Sequence, residues 1–434
     1  MNIRKTVKKV IPHGAFKAVE PYGHLAEAML LTVKNGFPAK GLKVIGVTGT
    51  NGKTTTAFMI YKMLYEAGYN VGLMTTVAYG VGDDIKPQIA HMTTVSVPLL
   101  HKRLKSMKAA GAEWIVLETT SHALAQHRVW GVPYSIAVMT NITHEHLDYH
   151  GTFENYRNAK LAMFTMTNRN KKGLRMGIVN ADDETAQLFA DATQNTTTYG
   201  IDNGDMRASN VVLAPSGVSY TATIANDTYD ITTKIPGKFN VYNSLAAVGV
   251  GRVLGLTKEQ IEKGIAALEG VEGRMTRINE GQDFDVIVDF AHTPDSFEKL
   301  FKDIQPVVKG RLIVLFGSAG RRDEAKRAIQ GRLAGEYADV VIVTEEDDRD
   351  IDGIAIMNEI AAGAEEKGKV RDNNLFTILD RTEAIEYAVS IAQPNDTLLF
   401  LGKGHEKTIE RADGEHPWDE ISTTRSALKN RTTK

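Results

Sequence analysis

Between Lys43 and Ala67 the chain changes its hydrophobic period across a single turn. That change restricts the fold more than any other stretch. Lys43 to Val47 is an apolar run that reads as a buried strand; Gly49 and Gly52 space a turn; from Thr54 to Ala67 apolar residues recur at helical intervals. Strand, glycine turn and helix in that order set a concave row of backbone N–H groups at a helix N-terminus. Such a row binds phosphate without any side-chain charge. Lys53 adds a cation for the outer phosphates, and the Thr54 hydroxyl is a ligand for Mg²⁺. The generic phosphate-loop spacing wants glycine where this chain has Val47; what stands is Thr48-Gly-Thr-Asn-Gly-Lys-Thr-Thr55. Gly49, Thr50, Asn51, Gly52, Lys53, Thr54 and Thr55 are therefore the expected nucleotide-binding residues, with ATP as the expected ligand.

The 434 residues suffice for two or three domains with substantial cores. Charged residues make up 24% and the formal net charge is −2, so no overall field favours nucleic acid or an anionic membrane. The absence of cysteine excludes disulfides and thiolate metal sites and fits a reducing cytoplasm, the expected location. Arg4, Lys5, Lys8 and Lys9 resemble the start of a targeting signal, but Pro12, His13 and Gly14 stand where its apolar core belongs. No apolar run approaches the roughly 18 residues of a membrane span.

Strand-like and helix-like segments alternate almost throughout, which predicts an α/β fold of two mainly parallel sheets. In a central block, 43–270, strands are expected at 43–48, 70–75, 114–118, 135–140 and 176–180. Alternating residues at Val218–Ile224 and Tyr229–Thr233 predict antiparallel hairpins added to that sheet. Helices are expected over 240–254 and 257–268. Gly270–Gly273 reads as a linker and candidate hinge. A second block, 271–434, repeats the pattern as a Rossmann-like sheet with strands at 285–290, 311–316, 339–344, 375–379 and 396–401. Ligands in such sheets bind beyond the carboxyl ends of the strands. The polar clusters Asp289–Asp295, Gly317–Arg322, Glu345–Arg349 and Gly402–Glu406 fall there. Residues 1–42 form a short segment with one helix from Pro21 to Asn35. That helix is expected to pack on the central block, with a membrane-surface or partner helix as the alternative.

Several side chains at strand ends are suited to chemistry. Glu118 closes an apolar strand beside the glycine turn, a place for Mg²⁺, while Thr120 or Ser121 next to it reads as a helix cap. His144, His146 and His150 suggest zinc, yet lack acidic or cysteine companions at strong spacing; one of them as a Mg²⁺ ligand is the expectation. Asp289 with His292, and Lys403 with His405 and Glu406 between two glycines, look like site loops.

Taken together these segments resemble the Mur ligases, ATP-dependent amide-forming enzymes of cell-wall peptide assembly. The motifs run from 43 to 425. They include the glycine turn, Glu118-Thr-Thr-Ser-His122, Gln126-His-Arg-Val129, His146-Leu-Asp-Tyr-His-Gly151, Asn180-Ala-Asp-Asp183, Phe239-Asn-Val-Tyr-Asn243, Gly273-Arg-Met275, Asp289-Phe-Ala-His-Thr-Pro-Asp295 and Gly402-Lys-Gly-His-Glu406. Within the family they look most like the tripeptide synthetases, which add the third residue of the stem peptide. The resemblance implies that Lys53 and Thr54 hold ATP phosphates and Mg²⁺, and that Glu118 and His146 are metal ligands. Lys160 would be carried as a carbamate, an anionic oxygen ligand for a second Mg²⁺. It puts Asn240 and Asn243 at the adenine side, and Arg274 and Asp289 on the nucleotide. Thr93, Thr94, Ser121 and Arg128 would contact a muramoyl-peptide, and His292, Asp347, Arg349, Gly402 and Glu406 would complete the substrate sites. The implied reaction is phosphoryl transfer to a carboxylate, then acyl transfer to an amino acid by a cytoplasmic monomer of peptidoglycan biosynthesis. Closure of a magnesium-bridged cleft between the lobes would exclude water.

Two departures from the family pattern stand out. Only 42 residues precede the first strand, so the uridine diphosphate handle is expected to be bound weakly, bound by a helper, or absent from the substrate. The Asp-Asn-Pro-Arg selector of the diaminopimelate-adding type appears as Glu346-Asp-Asp-Arg349. Arg349 suits a second carboxylate and points to meso-diaminopimelate, whereas the added negative charge favours L-lysine. The alternatives are a folylpolyglutamate synthetase-like ligase and a catalytically silent nucleotide-binding module.

Overall fold

The computed structural model describes residues 13–88, 92–214, 216–321 and 323–432. Arg4, Lys5, Lys8, Lys9 and Pro12, and Arg322 of one polar cluster, lie outside the described residues. The chain forms two compact units. One comprises residues up to Val211 with Ser219–Thr233 and Phe239–Leu268; the other comprises Val212–Val218, Lys234–Lys238 and the chain from Glu269 onward.

The first unit is built on an eleven-stranded sheet. Its strands are β1 (Lys43–Thr48), β2 (Val71–Met74), β3 (Ala78–Val81), β4 (Asp84–Pro87), β5 (Trp114–Glu118), β6 (Tyr134–Met139), β7 (Met176–Asn180), β8 (Asn195–Gly200), β9 (Met206–Ala214), β10 (Gly217–Ile224) and β11 (Asp227–Thr233). They lie in the order β11-β10-β9-β8-β7-β6-β1-β5-β2-β3-β4. β1 pairs in parallel with β5 on one side and β6 on the other. β1, β5 and β6 are apolar runs because both faces of the sheet are covered. Helix Lys53–Glu66 packs on helix Phe239–Val253 and over β1, β2 and β5, while helix Phe153–Arg169 packs on β6. The order of neighbours reverses at β1, so the loops after β1, β5 and β6 converge on one crevice.

The second unit holds β12 (Thr276–Arg277), β13 (Asp285–Asp289), β14 (Leu312–Phe316), β15 (Val340–Val343), β16 (Leu375–Thr377) and β17 (Thr397–Leu401). Their order is β12-β13-β17-β14-β15-β16, all parallel except β12. A separate hairpin joins β18 (Thr408–Arg411) and β19 (Gly414–Pro417).

Helix His13–Lys34 starts earlier than expected and includes Pro21. It packs on helix Val97–Ala109. There buried His101 sits 3.3 Å from both Thr32 Oγ1 and Asn35 Nδ2. The strands β3, β4, β8, β9, β12, β18 and β19 were not individually anticipated.

Candidate active site

The loop after β1 turns on two glycines at positions where a side chain would be strained and crowded. Gly49 has φ 148° and a Cβ there would lie 1.9 Å from Thr140 Oγ1; Gly52 has φ 80° and a Cβ would lie 2.2 Å from Asn243 Oδ1. Thr50 N donates to Asn141 O at 2.7 Å and Asn51 N to Asn141 Oδ1 at 3.0 Å. Two of the loop's amides are thus held by the β6 loop, and the first turn of helix Lys53–Glu66 supplies the remaining outward donors. Lys53 Nζ donates to Thr50 O at 2.6 Å, folded against its own loop. Thr55 is buried in that first turn. Asn243 Oδ1 accepts from Thr56 Oγ1 at 3.2 Å, and Asn243 Nδ2 donates to Asn240 Oδ1 at 2.8 Å. The asparagine pair therefore sits behind the turn.

Glu118, at the end of β5, is 1% exposed. Its carboxylate accepts from Thr54 Oγ1 at 3.1 and 3.0 Å, from Thr76 N at 2.9 Å and from Thr76 Oγ1 at 3.1 Å. Buried hard oxygen donors beside a phosphate-binding turn are the chemistry Mg²⁺ selects, so these residues fit that ion. Lys160, on helix Phe153–Arg169, is 2% exposed and donates to Gly49 O at 2.6 Å. Burial, and then the ammonium of Lys53, holds its pKa well below the ordinary 10.5, against the opposing pull of Glu145 and Glu118. An amine kept from protonation is the form that reacts with CO₂.

His146 stands at φ 55°, before the short helix Leu147–His150. Its ring lies 4.6 Å from that of His122 and 6.3 Å from that of Tyr156. Lys160 Nζ lies 4.6 Å from the same Tyr156 ring, so His146 and Lys160 meet around it. His144 instead stacks on Phe153 at 4.6 Å. His144 is thus set apart from His146 and His150, which both pack on His122, and among the described residues no group of three His, Cys, Asp or Glu could hold a metal.

The four residues matched to the muramoyl-peptide gather near Glu118. Thr93 Oγ1 lies 2.9 Å from Thr76 Oγ1, to which it can donate, and Thr94 Oγ1 donates to Glu118 O at 3.0 Å. Arg128 donates to the Thr94 carbonyl. Ser121 Oγ lies 3.0 Å from His150 Nε2. The cap of helix Ser121–Ala125 is Thr120, which accepts from Ala123 N at 3.2 Å. Asn141, His122 and Tyr156 were not singled out from the sequence. The signal for Asn141 was its place at the carboxyl end of β6, masked by the more conspicuous histidines that follow.

In the second unit the loops after β13, β15 and β17 carry the other expected residues. Asp289 accepts from Met275 N and Ala291 N, both at 2.8 Å; burial raises its pKa, opposed by Arg274. Arg274 lies 4.5 Å over Phe290, and Phe290 lies 4.8 Å from His292. Lys403 Nζ binds Asp347 at 2.9 Å and Glu406 at 2.7 Å. Arg349 Nε donates to Glu410 Oε2 at 2.8 Å, so its fork already has one carboxylate partner. A Cβ at Gly402, which has φ 100°, would lie 2.7 Å from Oε2 of buried Glu346, and that oxygen has no hydrogen-bond partner among the described residues.

Residues 47–251 match the model of the Mur ligase middle domain and residues 273–404 that of the Mur ligase glutamate ligase domain. Together with close relatives, these matches place the chain in the Mur ligase family of enzymes. It is similar to the UDP-N-acetylmuramyl-tripeptide synthetase of a Roseiflexus species, 41% identical over 420 residues covering 94% of this chain and 82% of that protein. It is 38% identical over 417 residues to the UDP-N-acetylmuramoyl-L-alanyl-D-glutamate–2,6-diaminopimelate ligase of Geobacillus thermodenitrificans, covering 95% and 84%. The solved Mycobacterium tuberculosis folylpolyglutamate synthase, complexed with ADP and AMPPCP, superposes with a TM-score of 0.72 at 16% identity, covering 94% of this chain and 95% of that one. At that identity the likeness is one of fold alone. No helix among the described residues is long and apolar enough to cross a membrane.

Proposed function

We propose that this chain uses ATP to join an amino acid to the terminal carboxylate of a muramoyl-dipeptide, a step of peptidoglycan precursor synthesis. The observation that carries the reading is the convergence of Lys160, Thr54 and Glu118 on one glycine turn: Lys160 on Gly49, Glu118 on Thr54. The γ-phosphoryl group passes to the carboxylate, and the amine displaces phosphate from the resulting acyl phosphate. Lys53 swings from Thr50 O to the transferring phosphate, and the first turn of its helix receives the phosphate oxygens. Thr54, Glu118, His146 and a carbamylated Lys160 would hold Mg²⁺, whose contribution is to neutralise charge on the phosphoryl oxygens. Thr93, Thr94, Ser121 and Arg128 bind the acceptor, while Asn240 and Asn243 support the nucleotide side of the turn.

Arg274 and Asp289 bind the nucleotide, and His292 binds the substrate. Asp347, Arg349, Gly402 and Glu406 frame the incoming amino acid. The names of the relatives support diaminopimelate, and Arg349 suits its second carboxylate. The test is to supply ATP, Mg²⁺ and UDP-N-acetylmuramoyl-dipeptide with a panel of amino acids, reading phosphate release and product mass. Release that requires both acceptor and diaminopimelate is expected. Release with lysine alone would reassign the amino acid. Ligation only of glutamate to a folate would overturn the reading.

A further inference from the structure

Tyr156 lies one helical turn before Lys160 and is fully buried. Its Oη is 2.9 Å from Thr50 Oγ1 and 3.5 Å from Glu145 Oε2. Thr50 Oγ1 accepts from Thr143 N at 2.9 Å and can donate to Thr143 O at 3.2 Å. The Tyr156 phenol and the Thr50 hydroxyl are thus hydrogen-bonded to each other, with Glu145 Oε2 a second acceptor beside the phenol. One residue back along the loop, Lys160 holds Gly49 O at 2.6 Å while standing over the Tyr156 ring. Two side chains from one helix therefore grip two consecutive residues of the glycine turn, and the ring of one forms a wall for the other.

We propose that Tyr156 is a positioning residue for ATP: its hydroxyl fixes Thr50, and through it the turn that receives the phosphates. The inference rests on the ATP reading of this site but not on carbamylation of Lys160. Tyr156→Phe keeps the ring and removes the hydroxyl, with its short bond to Thr50 and its long one to Glu145. In the full-length protein this variant should raise KM for ATP about five-fold, the size of one neutral hydrogen bond, with kcat within about two-fold. In a Thr50→Val background the same change should add no further rise, because the bond is already gone. An unchanged KM, or an equal rise in both backgrounds, overturns the proposal. A ¹³C spectrum of the unaltered protein in labelled bicarbonate separates the two ideas. The KM effect without a carbamate resonance supports Tyr156 while removing the modified lysine from the proposed function.

Discussion

A single hydroxyl bonds both oxygens of Glu118: Thr54 Oγ1 lies 3.0 Å from one and 3.1 Å from the other. This ties the end of β5 to the first turn of the helix after β1. Replacing Glu118 by Gln keeps the shape and removes the charge that would balance a cation. Phosphate release should fall about 100-fold, with the steepest loss at limiting Mg²⁺. A Mg²⁺ titration of both proteins checks this; superimposable curves would count against Glu118 as a ligand.

Lys160 gives a pH prediction whose sign is fixed by its burial. In CO₂-free buffer its folded pKa lies well below 10.5, the ordinary value it regains on unfolding. Between the two, the unfolded chain binds the extra proton, so stability rises with pH across that window. Lys160→Met should abolish that rise. Melting temperatures of the two proteins, measured from neutral pH to pH 10 without CO₂, should converge as pH increases.

How far the sequence revealed this architecture depends on how each segment is buried. β1, β5, β6, β14, β15 and β17 are covered on both faces and show as largely apolar runs. β8, Asn195-Thr-Thr-Thr-Tyr-Gly200, lies inside the sheet but is half threonine, and β4 is largely exposed, so neither carries that signal. The glycine turn was legible because its backbone angles demand glycine. Tyr156 was not, because a tyrosine at helical spacing is ordinarily core, and its function lies in one hydroxyl contact made across 106 positions.

Gly52→Ala should disable the turn from the backbone outward. Its φ of 80° alone costs about 1–2 kcal/mol for a residue with Cβ, and Asn243 must also move aside. Urea unfolding should show a loss at least of that size, and nucleotide binding should weaken in parallel.

Asp348 contributes one pH-dependent term to the stability of the second unit. Burial, and then the charge of Glu345, pushes its pKa from 3.8 up to about 6. The folded chain therefore holds a proton the unfolded one lacks between these values, and stability falls as pH rises through them. Asp348→Asn should flatten that decline and leave the variant the more stable protein above pH 6. Melting curves from pH 4 to pH 7 provide the comparison.

Asn141 has a consequence for the thermodynamics of ligand capture. Because it already holds the amides of Thr50 and Asn51, the turn keeps its curvature in the free enzyme. Little conformational entropy then remains to be lost when a guest arrives. Loosening Asn141 should register first as a more unfavourable binding entropy, with the enthalpy of capture much less affected.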